Sequence, residues 1–577
     1  MNKKAPRSCF VPDWARDAIW YQIFPERFRN GCPASNPKLE DFTTQPVPGW
    51  KIMPWGGDWY AQQAWEKKRG DFFHSVYLRR YGGDLVGVYE KLDYLQELGV
   101  TAIYLNPVFH APSLHKYDGS SFHHVDPAFG PDREGDLAML AKARETEDPK
   151  TWVWTAADRF LLKLIREVHR RGMKIILDGV FNHTGRDFFA FRDLLRNGDR
   201  SRYKKWYKIK HWNADGTFDY EGWFGHAALP ELARTENDLI PPVRRYIFDI
   251  TRRWMDPNGD GDPSDGIDGW RLDVAFCVPH GFWKAWRRHV KRINPEAYLT
   301  AEIVTLAKDY LRGDEFDAVM NYMWLFPSVS FFSQAKKAMS AAEFRKALDH
   351  VRKAYPPEVA YVQQNLYDSH DVGRIASMFN NPELLPIENF EHYFHLSRVK
   401  QGGTFRTTKP TRAAMTSLRQ AVIFQMTYPG APMIYYGTEV GLWGANDPCD
   451  RQPMLWDDVR HQPETHTPRG KTRSRPRAPD KKLFAFYRQA IALRREHAVL
   501  RRGTLSWVKH DHPRVLIYER RGEGERIRVA LNAADEPVTV AVPFAGANAW
   551  TGKACPRGEQ VIPPRSWLII RKQEADA

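Results

Sequence analysis

The chain has 577 residues, 42% of them hydrophobic and 27% charged, proportions of a globular enzyme and not of a disordered or fibrous protein. No apolar run reaches the roughly 20 residues that a membrane-spanning helix needs, and five scattered cysteines (Cys9, Cys32, Cys277, Cys449 and Cys555) contain no C-x-x-C pair, so neither a disulfide framework nor a zinc site is expected from them. The formal charge of +15 would suit a nucleic-acid partner, but much of the excess lies in "RHQPETHTPRGKTRSRPRAPDKK" (460–482), which reads as a solvated loop, so neither nucleic acid nor a membrane is an expected partner.

The opening "MNKKAPRSCFVPDWARD" has basic residues but no apolar stretch before Pro12, so no secretory signal is expected there. The expected location is cytoplasmic, or periplasmic or secreted if a signal has been removed. In chain order, "AIWYQIF" (18–24) predicts a strand, "LVGVYEKLDYLQELG" (85–99) a helix with a glycine stop, and "TAIYLNP" (101–107) a second strand. The helix 157–172 and strand 174–180 follow, then a polar, aromatic-rich insertion and a helix at 241–255. The alternation continues through "DGWRLDV" (268–274), the helix 280–293, strands at 297–303 and 318–321, the helix 341–355, the segment 361–371, the helix 415–427, a strand at 432–437 and a helix near 481–497. Alternation of this kind, about eight times over, predicts a parallel (β/α)8 barrel. After about 498 short alternating runs such as "VLIYERR" and "VTVAVPFA" predict a small antiparallel β-sandwich. The expected domains are a barrel from 1–183 and 241–498, an inserted domain at 184–240, and a C-terminal sandwich at 499–577.

Catalytic groups of such barrels stand at the C-terminal ends of the strands. Here "LDGVFNHTG" brings Asp178, Asn182 and His183, "DGWRLDV" brings Arg271 and Asp273, "LTAEIV" brings Glu302, and "LYDSHDVGR" brings His370 and Asp371. Any one of these acids could simply cap the next helix. Strand side chains alternate, so Arg271 and Asp273 share a face. The guanidinium is expected to keep Asp273 ionised, although such a pair alone also reads as a structural ion pair. Glu302, with apolar neighbours Ala301, Ile303 and Val304 and no arginine in its strand, is expected to hold a proton. An ionised nucleophile opposite a protonated acid is the pair that sugar hydrolysis requires. His183 and His370 suit hydrogen bonds to sugar hydroxyls, and neither has the partner spacing of a metal ligand.

Those four motifs, in that order, resemble the four signature regions of the α-amylase family of glycoside hydrolases, family 13, and the resemblance runs from about Trp14 to the end. It implies Asp273 as nucleophile, Glu302 as general acid/base, and Asp371 as the residue that binds the 2- and 3-hydroxyls. Tyr117 and Asp118 in "HKYDGSSF", with His183, Arg271, His370 and Arg451, are implied as substrate contacts. "YQIFPERF", "LPEL" (229–232), "LRGDEFDAVMNY" and "NDPCDRQPMLW" are similar to the neopullulanase and cyclomaltodextrinase branch, which implies a retaining hydrolase of α-1,4 links in maltooligosaccharides, cyclodextrins, pullulan or starch. A transglycosylase of the same family and a non-catalytic sugar-binding protein are the alternatives. Members of the branch often carry an N-terminal β domain that builds a dimer, whereas here the first barrel strand is expected at 18–24, so the chain is expected as a monomer or a homodimer. Val304 stands where the branch usually has tryptophan, and Phe276 and Cys277 replace polar residues.

No cofactor is expected for the chemistry, since side chains supply both acid and nucleophile. A structural calcium ion has two candidate sites. One is "DPNGDGDPSDG" (256–266), with oxygens from Asp256, Asn258, Asp260 and Asp262, though Ile267 stands where an EF-hand has glutamate and the run also reads as an Asx/Gly turn. The other, implied by the branch, would use Asn30, Asn36, Gly82 and Asp84, with Cys32 in place of the usual aspartate.

Overall fold

The computed structural model describes residues 10–399 and 404–573, with Gln573 described by its backbone alone; the segment 1–9, including Cys9, lies outside the described residues. Eight parallel strands occur in the order that the alternation predicts: β1 (Trp20–Ile23), β2 (Ala102–Leu105), β3 (Lys174–Gly179), β4 (Gly269–Leu272), β5 (Tyr298–Ala301), β6 (Ala318–Val319), β7 (Gln364–Leu366) and β8 (Ala431–Tyr435). Neighbours in sequence pair in parallel, β8 pairs with β1, and a parallel bridge between Met320 and Gln364 joins the end of β6 to β7 and closes the barrel. Nearly every strand residue is buried, as expected for a parallel sheet covered by helices outside and side chains within.

The helices follow from the 3.6-residue period. In Ala156–Arg170, Leu161, Leu164, Ile165 and Val168 face the barrel, and Thr155 and Asp158 form a capping box at its start. Pro241 opens Pro241–Met255 at a position where no backbone N–H is required. Sequence periodicity does not reveal the helix Tyr322–Phe332, because it is buried almost all round and therefore has no polar face to create a period.

Between β3 and β4 the chain forms a small hairpin, Ile209–Trp212 with Phe218–Tyr220. This insertion is tied back to the barrel mouth by Leu232 N–H to the Asn182 carbonyl at 3.0 Å and Thr184 N–H to the Pro230 carbonyl at 3.1 Å. Beyond Thr504 an antiparallel sheet runs in the order Thr504–Val508, Val515–Gly522, Glu525–Asn532, Ser566–Gln573, Gly546–Asn548, Ala554–Cys555, beside the pair Val538–Val542 and Gly558–Ile562. Leu516, Tyr518, Ile527 and Val529 join the barrel's own core on one face of that sheet, while Val515, Ile517 and Val540 form a separate apolar layer on the other.

The segment 460–482 is not simply a solvated loop. Glu464–Thr467 and Gly470–Arg475 pair as a hairpin, Trp443 Nε1 donates to buried Glu464 at 2.7 Å, and buried Arg477 donates to the Gly57 carbonyl at 2.6 Å. Composition hides this because two anchoring side chains suffice to dock a charged hairpin. The four described cysteines are all unpaired.

Candidate active site

Strand register brings the acids together. Asp178 on β3 stands opposite Arg271 on β4, and Arg271 opposite Thr300 on β5, so acids at or just beyond these strand ends surround one guanidinium. Arg271 is fully buried. Its Nη1 donates to Asp178 at 2.9 and 3.1 Å and to Asp273 Oδ1 at 2.9 Å, while Nη2 lies 3.0 Å from Glu302 Oε1. Three carboxylates from three strands therefore share one positive charge.

This sharing corrects the simple expectation for Asp273. Burial raises its pKa well above the usual carboxylate range and the Glu302 charge raises it further; Arg271 opposes both but is divided among three partners. Glu302 is also corrected, because it does have an arginine partner, supplied by the adjacent strand rather than its own. Its second oxygen accepts the Val274 N–H at 2.9 Å. Val274 sits at φ 37, ψ 47, a left-handed conformation that a β-branched residue strongly resists, so the turn after Asp273 is strained where it grips Glu302.

On the other side of the cluster stand His370 and Asp371. Gln22 Nε2 lies 2.9 Å from His370 Nδ1, while His370 Nε2 faces the Tyr117 hydroxyl at 2.6 Å and Asp371 Oδ2 at 3.1 Å. Burial, with Arg451 and Arg271 nearby, pulls the His370 pKa well below its ordinary value. The ring is thus neutral, and a Gln22 amide donating to Nδ1 leaves its one proton on Nε2. Asp371 is pushed up to about 7 by burial and by Glu302, against the pull of Arg451 and Arg271. Arg451 acts from behind, donating to the His370 carbonyl at 2.8 Å and to Asp371 at 3.3 Å.

Tyr117 stacks on His370 with ring centroids 5.4 Å apart and 12° between planes, and its hydroxyl donates to Asp178 Oδ2 at 3.0 Å. Lys116, just before it, takes φ 60 and is held there by Asp126 at 2.6 Å. His183 lies beside the Tyr117 backbone with its Nδ1 3.1 Å from the Asn182 amide, and burial lowers its pKa to about 4, so it too is neutral. Asp118 does not join this cluster. Its carboxyl bonds Ser113 within its own loop, and burial lifts it to about 6.

Asp178 is legible in the sequence as a strand-end acid but not as a partner of Arg271, and nothing in the sequence singles out Tyr104 or Gln22. Tyr104 donates to Asp178 Oδ2 at 2.6 Å. These residues lie on β1, β2 and β3 facing inwards, and inward orientation becomes specific only once the barrel closes.

A family model described as "Alpha amylase, catalytic domain" matches residues 22–148 and 156–503. The chain belongs to the alpha-amylase family. As a member it is a glycoside hydrolase, and its relatives agree. Neopullulanase 2 of Thermoactinomyces vulgaris is 37% identical over 557 residues, which cover 96% of this chain and 75% of the relative. A cyclomaltodextrinase of Geobacillus thermopakistaniensis is 34% identical over 541 residues, 94% of this chain and 73% of the relative. Among solved structures, the ligand-free cyclic α-maltosyl-(1→6)-maltose hydrolase of Arthrobacter globiformis superposes with a TM-score of 0.70 at 26% identity, covering 98% of this chain and 100% of that one.

Within this alpha-amylase family member the two calcium candidates differ. Asn30 Nδ2 donates to Asn36 Oδ1 at 2.8 Å, Asn30 Oδ1 is buried without a hydrogen-bond partner, and a Cβ on Gly82 would come within 2.0 Å of Asn36 Oδ1. Of these oxygens only Asn30 Oδ1 is left without a partner for a cation to take up. Asp84 fits less well, because its carboxylate already accepts the N–H groups of Gly31, Cys32 and Gly87 at 2.6–3.1 Å. In the other site, Asn258 Oδ1, Asp260 Oδ1 and Asp262 Oδ1 each accept the backbone N–H two residues on, at 2.8–3.0 Å, and Asp256 Oδ1 reaches Gly261 N–H at 3.4 Å. That is the pattern of consecutive Asx turns.

Proposed function

We propose that this glycoside hydrolase cleaves α-1,4-glucosidic bonds of cyclodextrins, pullulan, maltooligosaccharides or starch with retention of configuration. The observation that carries the proposal is the single Arg271 guanidinium in contact with Asp178, Asp273 and Glu302, with Asp371 across the cluster. Four acids stand around Arg271 and Arg451, so the positive charge that develops on the sugar ring as the glycosidic bond breaks meets carboxyl oxygens fixed in advance.

In this reading Asp273 attacks C1 while Glu302 protonates the departing oxygen. Water then cleaves the glycosyl-enzyme ester, with Glu302 taking its proton. Crowding lets Asp371 carry a proton while Asp273 attacks as the carboxylate, and the strained Val274 turn fixes the direction of Glu302. Neutral His370, its proton on Nε2, donates to the Tyr117 hydroxyl and so fixes the ring that Tyr117 offers as a stacking face. Asp371, steadied by Arg451, accepts from the 2- and 3-hydroxyls.

The test is the time course of products from maltotriose, γ-cyclodextrin, pullulan and soluble starch, with Asp273→Asn as control. Hydrolysis that vanishes in the control supports the reading, and anomeric retention in the first product supports the double displacement. Products longer than maltotriose from maltotriose alone would instead make transfer to sugar the main reaction. No product from any of the four rejects the α-glucan assignment.

A further inference from the structure

The loop that carries Tyr117 has a narrow neck. Phe109 and Val125 pair there in an isolated antiparallel bridge, and the His110 N–H donates to the His124 carbonyl at 3.0 Å. At this neck stand two consecutive histidines, His123 and His124, each 2% exposed. Both turn Nε2 towards the same oxygen: Glu145 Oε2 lies 3.3 Å from His123 and 2.8 Å from His124. Among the described residues this is the one group of His, Cys, Asp or Glu side chains whose potential ligand atoms all lie within 4.8 Å of one another.

The far side of each group is also held. His123 Nδ1 meets the Tyr246 hydroxyl at 2.8 Å, and the ring lies flat on Trp152, 4.4 Å away at 6°. His124 Nδ1 meets Asp158 Oδ2 at 2.8 Å, and Arg253 pairs with that aspartate at 3.1 Å. Glu145 Oε1 accepts the Val153 N–H at 2.7 Å. A carboxylate behind an imidazole is the arrangement that orients and strengthens a metal-bound histidine.

We propose that His123, His124 and Glu145 bind a zinc ion, with water in the fourth position, and that this ion fastens the neck of the Tyr117 loop. Zinc takes imidazole nitrogen and carboxylate oxygen at about 2.0–2.2 Å in a tetrahedron, so its ligand atoms stand about 3.3 Å apart. The His123 to Glu145 spacing already has that value, and the His124 spacing of 2.8 Å requires a small opening. Two imidazoles and one carboxylate suit zinc far better than calcium or magnesium, which prefer oxygen throughout. The Glu145 side chain is 15% exposed, which gives an ion a way in.

The competing arrangement has protons and no metal. His124 would then be an imidazolium bridging Asp158 and Glu145, whose charges raise its pKa against the lowering effect of burial. Zinc would take the place of the Nε2 proton, so the two arrangements differ in metal content.

The full chain is equilibrated with zinc sulfate, freed of loose metal by gel filtration, and its zinc counted per chain by elemental analysis. About one equivalent is expected, with zinc affinity lower by about 10–100-fold in Asp158→Asn, where Asp158 contacts His124 alone among the three proposed ligands, and lost in Glu145→Gln. A melting curve of the unmutated chain with and without zinc needs no variant, and zinc is expected to raise its Tm. Failure of the unmutated chain to retain zinc, equal retention in Glu145→Gln, or a Tm indifferent to zinc overturns the proposal.

Discussion

Two groups of acids in this molecule look alike on paper and behave differently in space. Around Arg271, buried Asp178 and Asp273 and half-buried Glu302 come from three strands and compete for one guanidinium. In the turn after Met255, Asp260 and Asp262 are exposed and spend their oxygens on the backbone N–H groups of their own loop. The second group is satisfied locally and needs nothing else. The first divides one guanidinium among three carboxyl groups, a crowding that a positively charged transition state can relieve. What separates function from turn chemistry here is which groups satisfy the carboxylates, and not how many carboxylates there are.

The contrast can be broken most forcefully at Asp273. Asp273→Asn is expected to lower kcat on γ-cyclodextrin by about 10⁴-fold or more, with the fold intact by circular dichroism. Residual turnover near the original rate would show that the cluster is only structural. Arg271→Met strips buried Asp178 and Asp273, and half-buried Glu302, of their common partner and is expected to cost about 3–5 kcal/mol of stability in a denaturant titration, together with activity. A loss below 1 kcal/mol, read against the same scale of about 3–5, would mean that the acids are solvated and not held by the arginine.

The third prediction concerns pH. Asp371 has a pKa of about 7 in the folded chain against an ordinary 3.8, so the native state binds the proton more tightly than the unfolded chain does. Its favourable contribution is therefore fully present below pH 3.8 and is lost as pH rises through about 7. Asp371→Asn, which cannot ionise, should flatten that part of the Tm profile; an identical pH dependence in both proteins would place the titration elsewhere. The smallest effect is expected in the turn. Asp260→Asn should change stability by no more than about 0.5 kcal/mol and leave kcat/KM unaltered, since the amide oxygen can still accept from Asp262 N–H.

Much of this was readable in one dimension. The eight strands follow from alternation, and the barrel from their parallel sense. Strand-end residues Asp178, Asp273, Glu302 and Asp371 could be picked out because catalysis in barrels is confined to one rim. Charge state was less legible. Glu302 has no arginine in its own strand, and its partner comes from the strand beside it. Asp118 follows Tyr117 directly and yet bonds Ser113 instead, because a loop residue's direction depends on local backbone torsions that composition does not encode.

The sequence by itself determined which side chains lie on a common strand face, since a period of two places Arg271 and Asp273 together whatever the rest of the chain does. It also determined the family, through four motifs in order. Tertiary structure alone decided who shares the arginine, because that depends on the register of β3, β4 and β5, and alone brought Glu145 to His123 and His124 from more than 20 residues away. The physical reason is common to both: local geometry is a property of consecutive torsions, while electrostatic partnership falls off over a few ångströms and so depends on which distant segments packing brings within reach.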